Sequence, residues 1–274
     1  MALFSGRGLL NSTAEMSFLD HLEALRWHIV RSAIVIFSVA IVLFMFKGFL
    51  FDGILLAPKY PSFPTYRALC FLSKKFNLGE DLCVTKINFQ LISTDISAQF
   101  TTHMWSAFVG GLIAGFPYLV WEMWRFIKPA LKEKEKSYAK GIVFYTSFLF
   151  LTGALFGYYV ITPMTVNFLG TYQVSEEVHN MISLDSFIST VTTMTLITGI
   201  VFELPIVVFF LSKIGILSPK FMRKYRRHAI VIILIVAAVI TPTSDATTLM
   251  LVATPLYILY EISIFVSAYV TKRQ

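Results

Sequence analysis

Six long apolar stretches, separated by more polar segments, dominate the pattern of this chain. They lie at about residues 29–50, 100–121, 141–164, 187–212, 229–241 and 247–270. A membrane core of about 30 Å needs roughly 20 apolar residues per helical crossing, and most of these stretches come near that length. The pattern therefore predicts an all-α integral membrane protein with six transmembrane helices, organised as one domain over residues 1–274, without internal repeats.

The fifth and sixth stretches are short for a full crossing. The fifth runs from Ala229 to Ile240, which covers only about 18 Å at about 1.5 Å per residue. The sixth is interrupted by Pro255 and Glu261. Two short spans must thin the surrounding bilayer or pack against neighbouring helices. A re-entrant hairpin is the alternative interpretation of this pair.

The residues before the first span divide into two parts. Residues 1–15 contain Gly, Ser, Asn and Thr, which predicts a flexible tail. Within residues 16–26, Phe18, Leu22 and Leu25 share one helical stripe and the charged residues lie elsewhere. This spacing predicts an amphipathic helix at the membrane interface that continues into the first span.

The connection at residues 52–99 is the longest one. Three prolines near its start exclude a regular helix there, and the apolar spacing at 67–76 and 89–100 is compatible with short helices lying over the membrane. These features predict a structured cap on the outer side of the membrane rather than a disordered loop.

The distribution of charge indicates which connections face the cytoplasm. The chain is 56% hydrophobic and 14% charged, too apolar for a soluble domain of this length. The basic residues of its second and fourth connections are Arg125, Lys128, Lys132, Lys134, Lys136 and Lys140, and Lys213, Lys220, Arg223, Lys224, Arg226 and Arg227. By the positive-inside rule, these connections and both termini are cytoplasmic. The basic residues of the 52–99 connection count weakly against this orientation.

The formal net charge of +7 would by itself also suit a nucleic-acid-binding protein. Because most of this charge lies in two alternate connections, it is mainly a signal of membrane topology. No nucleic acid partner is therefore predicted. The scattered histidines and two cysteines have no metal-ligand spacing, and no phosphate-binding loop or nucleophile motif is present. The chain is not predicted to be an enzyme or to bind a metal or cofactor.

Three acidic residues lie in or beside the later spans. Glu203 is inside the fourth span, where a carboxylate costs about 2.5–3.5 kcal/mol on insertion scales, and Pro205 is expected to kink that helix. Glu203 and Pro205 together predict a polar pocket in the fourth span. The alternative is a neutral glutamic acid that is hydrogen-bonded inside the bundle. Asp245 is placed to cap the start of the sixth span, and Glu261 lies within that span.

Cys70 and Cys83 both fall in the long outer connection. An oxidising compartment would favour a disulfide between them, which would close a loop of about 13 residues and stabilise the cap by roughly 3 kcal/mol. Two free, partly buried thiols are the alternative.

Several short motifs, in this order, resemble the TatC family, the multispanning core of the twin-arginine (Sec-independent) protein translocase. They are His21-Leu-Glu-Ala-Leu-Arg26, Ala57-Pro58, Trp124-Arg-Phe-Ile-Lys-Pro-Ala-Leu131 followed by Glu135, Phe202-Glu-Leu-Pro205, Thr241-Pro242 with Asp245, and Pro255 through Glu261. Each motif alone is weak, but together they coincide with the six predicted spans over about residues 16–270.

The resemblance implies a curved, glove-like six-helix bundle in the bacterial inner membrane. It implies binding of twin-arginine signal peptides on folded export substrates, and assembly with the single-span partners TatA and TatB and with further copies of the chain. Transport in the family is driven by the proton-motive force, without nucleotide. The alternative hypothesis, suggested by Glu203, is a proton-coupled small-solute transporter, although the repeated halves and paired broken helices typical of one are missing from the sequence.

The resemblance also indicates a signal-peptide site, consisting of Glu135 and Glu23 with Phe126 and Pro129 shaping the loop. Glu203, Pro205, Asp245 and Glu261 are candidates for contacts with a partner inside the membrane. One position departs from the family, which usually has glutamate directly before the Leu-Arg pair. Here that position is Ala24, and Glu23 is turned by about 100° from it on a helix.

Overall fold

The computed structural model describes residues 18–76, 83–84, 89–128, 139–173, 175, 180–241 and 246–273. Within these residues the chain is mostly helical. The α-helices are α1 Phe18–Met45, α2 Pro64–Phe76, α3 Ala98–Ile127, α4 Ala139–Phe156, α5 Thr162–Thr171, α6 Leu184–Val201, α7 Leu204–Lys213, α8 Pro219–Lys224, α9 Arg226–Ile240 and α10 Ala246–Arg273. Two π-helical segments, Phe49–Leu55 and Gly157–Ile161, and the 3₁₀ turn Ala57–Lys59 extend them.

Five of the described helical stretches are long and apolar enough to cross a membrane. They are Leu22–Met45, Ala98–Ile127, Gly141–Thr171, Leu184–Lys213 and Thr248–Lys272. The third combines α4 and α5 through the π-helical segment, and the fourth combines α6 and α7. The chain is therefore a multi-pass membrane protein, and α1 continues from the predicted interfacial segment into the first crossing without a break.

The predicted shortness of the last two spans needs a correction. α9 has 15 residues, about 22 Å of helix, and is short. By contrast, α10 is one continuous helix of 28 residues that includes Pro255, so the prediction of a short, interrupted sixth span is wrong. A proline in a packed membrane helix removes one hydrogen bond, and neighbouring helices can hold such a helix in register.

Helices α1 and α3 approach closely at two glycines of α3. A Cβ atom at Gly111 would lie 2.7 Å from the carbonyl oxygen of Ile36 and 2.9 Å from Cβ of Ala40, and one at Gly115 would lie 3.1 Å from the side chain of Ile36. Two small residues spaced by four allow helix backbones in a membrane to touch. This contact positions the ends of α1 and α3 that carry the candidate site.

Replacing Gly111 by alanine is expected to destabilise the protein, because the added methyl group overpacks the α1–α3 contact, a class of change that costs about 1–3 kcal/mol. A Cβ atom added at Gly141 in α4 would have no neighbouring atom within 4 Å. Gly141→Ala is therefore the matched control, and its effect on stability should be neutral or slightly favourable. Thermal unfolding in detergent, followed by circular dichroism, measures both. Equal melting temperatures for the two variants would contradict the prediction.

Two glycines of the third crossing likewise allow a close approach to α6. Cβ atoms at Gly153 and Gly157 would lie 2.8 Å from the carbonyl oxygens of Thr198 and Met194, respectively. Just beyond this contact the fourth crossing breaks, since α6 ends at Val201 and α7 begins at Leu204 with a proline in its first turn. The break is where the sequence predicts a kink and leaves Glu203 between the two helices.

The cap, residues 52–99, is fastened to the third crossing by aromatic side chains. The single hydroxyl hydrogen of Tyr66 is shared between the carbonyl oxygens of Pro163 at 2.8 Å and of Pro58 at 3.1 Å, and burial raises the pKa of this phenol. Tyr158, in the π-helical segment, donates to the carbonyl oxygen of Ile54 at 2.7 Å. The predicted helix at 67–76 is confirmed as the main part of α2.

The cap also pairs with a distant connection through two short parallel strands. β1, Gln90–Ile92, pairs with β2, Met181–Ser183, in the register Gln90 with Met181 and Ile92 with Ser183. The prediction of a short helix over 89–100 is therefore wrong, since this segment forms a strand and then the start of α3. Strand pairing with residues far along the chain overrides the local apolar spacing.

The structure joins Cys70 and Cys83 by a disulfide. We predict that the protein isolated from membranes and denatured without reductant has no thiol that reacts with a maleimide, and that reduction reveals two. The bond should stabilise the cap by about 3 kcal/mol through the loop that it closes. Two reactive thiols before reduction would contradict the prediction.

Candidate functional site

A buried carboxylate lies where α1 begins and α3 ends. The side chain of Glu122 is 1% exposed and is held from three sides. One of its oxygens is hydrogen-bonded to Nδ1 of His28, and the other accepts from the hydroxyl of Tyr118 at 3.0 Å and from Arg125 at 3.4 Å. We call Glu122, His28, Tyr118 and Arg125 the Glu122 cluster. A buried acidic group needs such partners to remain in the protein interior.

The Glu122 cluster fixes the start of α1 on the end of α3. Tyr118, Glu122 and Arg125 lie on one face of α3 at helical spacing, whereas His28 reaches the carboxylate from α1. The ring of His28 also meets that of Phe126 edge to face, with the centroids 5.9 Å apart. This end of the molecule, the Glu122 end, is therefore a fixed platform for the residues that precede and follow it.

Glu23 lies on the Glu122 end, five residues before His28 on α1. Its side chain is 54% exposed and is engaged by its own helix, accepting hydrogen bonds from the indole of Trp27 at 3.0 Å and from Arg26 at 3.2 Å. An exposed ion pair of this kind contributes at most about 1 kcal/mol and can exchange partners. Glu23 is thus an accessible carboxylate, whereas Glu122 is a buried one.

Of the other residues predicted for the signal-peptide site, the structure describes only Phe126. It is half-buried near the end of α3, so the structure brings Phe126 and Glu23 to the same end of the bundle. Pro129 and Glu135 lie outside the described residues. Two basic residues lie close to Phe126 in the sequence: Arg125, whose guanidinium lies 5.2 Å from the ring centre of Trp121, and Lys128 at the end of α3.

Sequence reasoning missed Glu122. The signal was present, since Glu122 is an acidic residue in an apolar stretch with tyrosine four positions before it and arginine three positions after it. Residues at these spacings share a helix face and can bond to one carboxylate. The partner that completes the cluster, His28, lies on another helix and could not be identified from local spacing.

A second polar contact joins the last two helices. Arg226 at the start of α9 pairs with Glu261 of α10 at 2.7 Å, and Tyr257 donates to the same carboxylate at 3.0 Å. Arg226 lies at the end of the basic connection that follows the fourth span. Its partner Glu261 therefore lies at the same end of the bundle as this connection. The helix α9 and the part of α10 before Glu261 are about equal in length. Asp245 lies outside the described residues.

Glu203 occupies the break between α6 and α7. The residue is half-buried, and its carboxyl group approaches the backbone of Phe150 in α4, but neither oxygen makes a well-formed hydrogen bond with any residue the structure describes. Pro205 and Phe202, on either side, line an apolar cavity of about 580 Å³ between α4, α7 and α10. An unpaired carboxyl group beside an apolar cavity is a candidate for contact with another membrane helix.

The sequence model of one protein family matches most of the chain. The family is described as TatC, Sec-independent protein translocase protein, and the match covers residues 20–255. The Sec-independent protein translocase protein TatC of Blattabacterium sp. subsp. Periplaneta americana (strain BPLAN) is 38% identical over 265 residues, which cover 96% of this chain and 99% of that protein. The TatC protein of Koribacter versatilis (strain Ellin345) is 32% identical over 92% of this chain and 85% of its own length.

The fold is also similar to a solved structure. The crystal structure of the twin-arginine translocase receptor TatC superimposes with a TM-score of 0.66 at 29% sequence identity, covering 92% of this chain and 99% of that one. The chain therefore shares its overall fold with that protein.

Proposed function

Since the chain belongs to the TatC family of Sec-independent protein translocase proteins, we propose that it is the receptor and core scaffold of a twin-arginine translocase. In this function the chain binds the twin-arginine signal peptides of folded proteins and assembles with TatA-type and TatB-type single-span proteins. Export is driven by the proton-motive force. The observation that carries the proposal is the Glu122 end, where an exposed carboxylate and apolar side chains lie on a fixed platform.

The chemistry of the signal peptide matches this end of the molecule. Two adjacent guanidinium groups need carboxylates, since the planar arginine fork makes two charge-assisted hydrogen bonds to one carboxylate. Glu23 offers one such group beside Trp27. Glu135 is the second and principal one, in the connection that follows α3 by a few residues. Phe126 and Pro129 shape the surface between them.

The membrane topology belongs to the same proposal. Six spans result when α9 crosses as the short fifth span, with both termini and the Glu122 end in the cytoplasm of a bacterium and the cap outside the inner membrane. The basic residues of two alternate connections support this orientation. Helices of about 22 Å accommodate a crossing by local thinning of the bilayer or by packing on a neighbour, and the Arg226–Glu261 pair holds α9 level with α10.

Partner contacts inside the membrane are assigned to Glu203, Pro205, Asp245 and Glu261. We predict that Glu203→Ala weakens both crosslinking to the partner and export, because it removes a carboxyl group that has no hydrogen-bond partner among the described residues. Glu203→Gln retains hydrogen bonding and should be mild. Site-specific crosslinking in membranes and an export assay measure both. If the alanine variant matches the wild type in both assays, Glu203 is only structural.

The function is tested in a bacterial strain that lacks its own TatC subunit. Expression of the chain with its cognate single-span partners should restore export of a folded reporter that carries a twin-arginine signal, and should not restore export of the same reporter with two lysines. The competing hypothesis, a proton-coupled solute transporter, predicts no export in this strain and proton uptake on addition of a solute. Copurification of the chain with a twin-arginine precursor would independently support the proposal.

A further inference from the structure

A small pocket with both polar and apolar walls lies at the cap end of the bundle, where the first span continues into the cap. The pocket has a volume of about 270 Å³ and is lined by Lys47, Gly48, Phe51, Asp52, Gln99, His103 and Leu184. Its charged members, Lys47 and Asp52, are exposed and form no ion pair with any residue that the structure describes. The Nε2 atom of His103 is buried and has no hydrogen-bond partner within the described residues.

An apolar groove runs along α1 and α3 toward this pocket. The groove has a volume of about 590 Å³, and its main lining residues are Phe37, Ile41, Phe44, Met104, Trp105 and Phe108. The positions 37–44 on α1 cover about 10 Å of helix. Groove and pocket meet at one stacked pair, since the ring of Phe44 in the groove lies 4.0 Å from that of His103 in the pocket, at an interplanar angle of 11°.

From these observations we infer that the pocket and groove bind one phospholipid with a zwitterionic phosphate–ammonium headgroup. The groove takes an acyl chain, which is apolar like its lining, and the pocket takes the headgroup. Lys47 pairs with the phosphate and Asp52 with the ammonium, while the exposed Gln99 supplies a further hydrogen bond to the phosphate. Lys47 and Asp52, which form no ion pair with a described residue, thereby each obtain a partner of opposite charge.

The order of the two charges supports a zwitterionic headgroup over an anionic one. Lys47 is two residues beyond the end of α1, and Asp52 lies about one turn further along the chain, in the π-helical segment. In a phospholipid the phosphate is next to the glycerol and the acyl chains, and the ammonium is further away. Along the chain, Lys47 is therefore nearer than Asp52 to the groove, in the order that the phosphate and ammonium require, and an anionic headgroup would leave Asp52 facing a negative charge.

Native mass spectrometry of the delipidated full-length chain in detergent tests the inference. The probes are phosphatidylethanolamine and phosphatidylglycerol with identical acyl chains. The wild type should retain one phosphatidylethanolamine with about fivefold preference over phosphatidylglycerol, the size expected of one exposed ion pair. Asp52→Asn should remove the preference and leave phosphatidylglycerol binding unchanged, whereas Lys47→Gln should weaken the binding of both lipids.

Two exposed residues outside the pocket lining provide matched controls, Asp95→Asn and Lys74→Gln, which should retain the wild-type preference. Glycerophosphoethanolamine, the headgroup without chains, should not compete, because the groove then contributes nothing. Equal binding of the two lipids by the wild type, an unchanged preference in Asp52→Asn, or displacement of the lipid by a second copy of the chain would overturn the inference. Melting temperatures close to that of the wild type for all variants confirm that the comparison is between folded proteins.

Discussion

Replacement of Glu135 by alanine is expected to abolish binding of a twin-arginine signal peptide. The peptide's guanidinium groups would lose the carboxylate that pairs with them beside an apolar surface, and truncation of such an interfacial pair costs about 2–5 kcal/mol. Glu23→Ala should only weaken binding, because Glu23 is turned away from the usual position and already pairs with Arg26 and Trp27. Site-specific photocrosslinking of a precursor to membranes that carry each variant measures both effects.

Glu133 is the matched control for this prediction. It lies two residues before Glu135 among the same lysines, so Glu133→Ala changes the net charge of the connection equally. If the site depends on a positioned carboxylate, this variant should crosslink like the wild type, whereas a general charge effect would weaken both variants alike. A peptide with two lysines should bind poorly even to the wild type, since lysine cannot form the bidentate pair. Undiminished crosslinking in Glu135→Ala would remove that residue from the site.

Substitution of His28 by leucine is expected to lower the free energy of unfolding by about 1–3 kcal/mol, the cost of leaving one oxygen of a buried carboxylate without its hydrogen-bond partner. Glu122 would keep its carboxylate at 1% exposure without the imidazole from α1. The start of α1 would then lose its polar attachment to α3, and binding of the signal peptide should weaken with it. Unfolding in detergent by titration with sodium dodecyl sulfate, followed by circular dichroism, measures the change.

The double variant His28→Leu with Glu122→Leu should regain much of this loss, because no acidic group then remains buried. Tyr118 and the half-exposed Arg125 lose their shared acceptor but can turn toward water. Glu23→Gln is the control at the same end, and it should change stability by less than about 1 kcal/mol, since it alters only an exposed ion pair. A double variant that is less stable than His28→Leu alone would show that the buried pair does not dominate the energetics of the cluster.

The crossings were predictable because an apolar run of about 20 residues has few alternatives to a membrane helix. Five such stretches are found where the sequence predicts them, and the break at Glu203 and Pro205 follows from the proline. Pro255 shows the limit of this reasoning. Its effect depends on the helices packed around it, and α10 continues through it.

The candidate site was harder to predict from the sequence than the membrane crossings. Glu23 and Phe126 are on one end of the bundle, as the motifs indicate, but the residue that organises this end is Glu122. Its burial depends on which face of α3 packs against α1, and that is decided by the close approach at Gly111 and Gly115. Glu135 was identified through the family resemblance, since composition alone would make it one more charge on a lysine-rich surface.

The strand pair β1–β2 has a consequence for the order in which the protein is assembled. Its two strands are about 90 residues apart in the chain, so at roughly 5–20 residues per second β1 must wait roughly 5–18 seconds for β2 to be synthesised. The partners of the Cys70–Cys83 bond are only 13 residues apart and are available much earlier. The cap can therefore close its covalent loop first, whereas it completes its hydrogen bonding only after the third crossing has been made, so a chain arrested in that interval carries an unpaired strand β1.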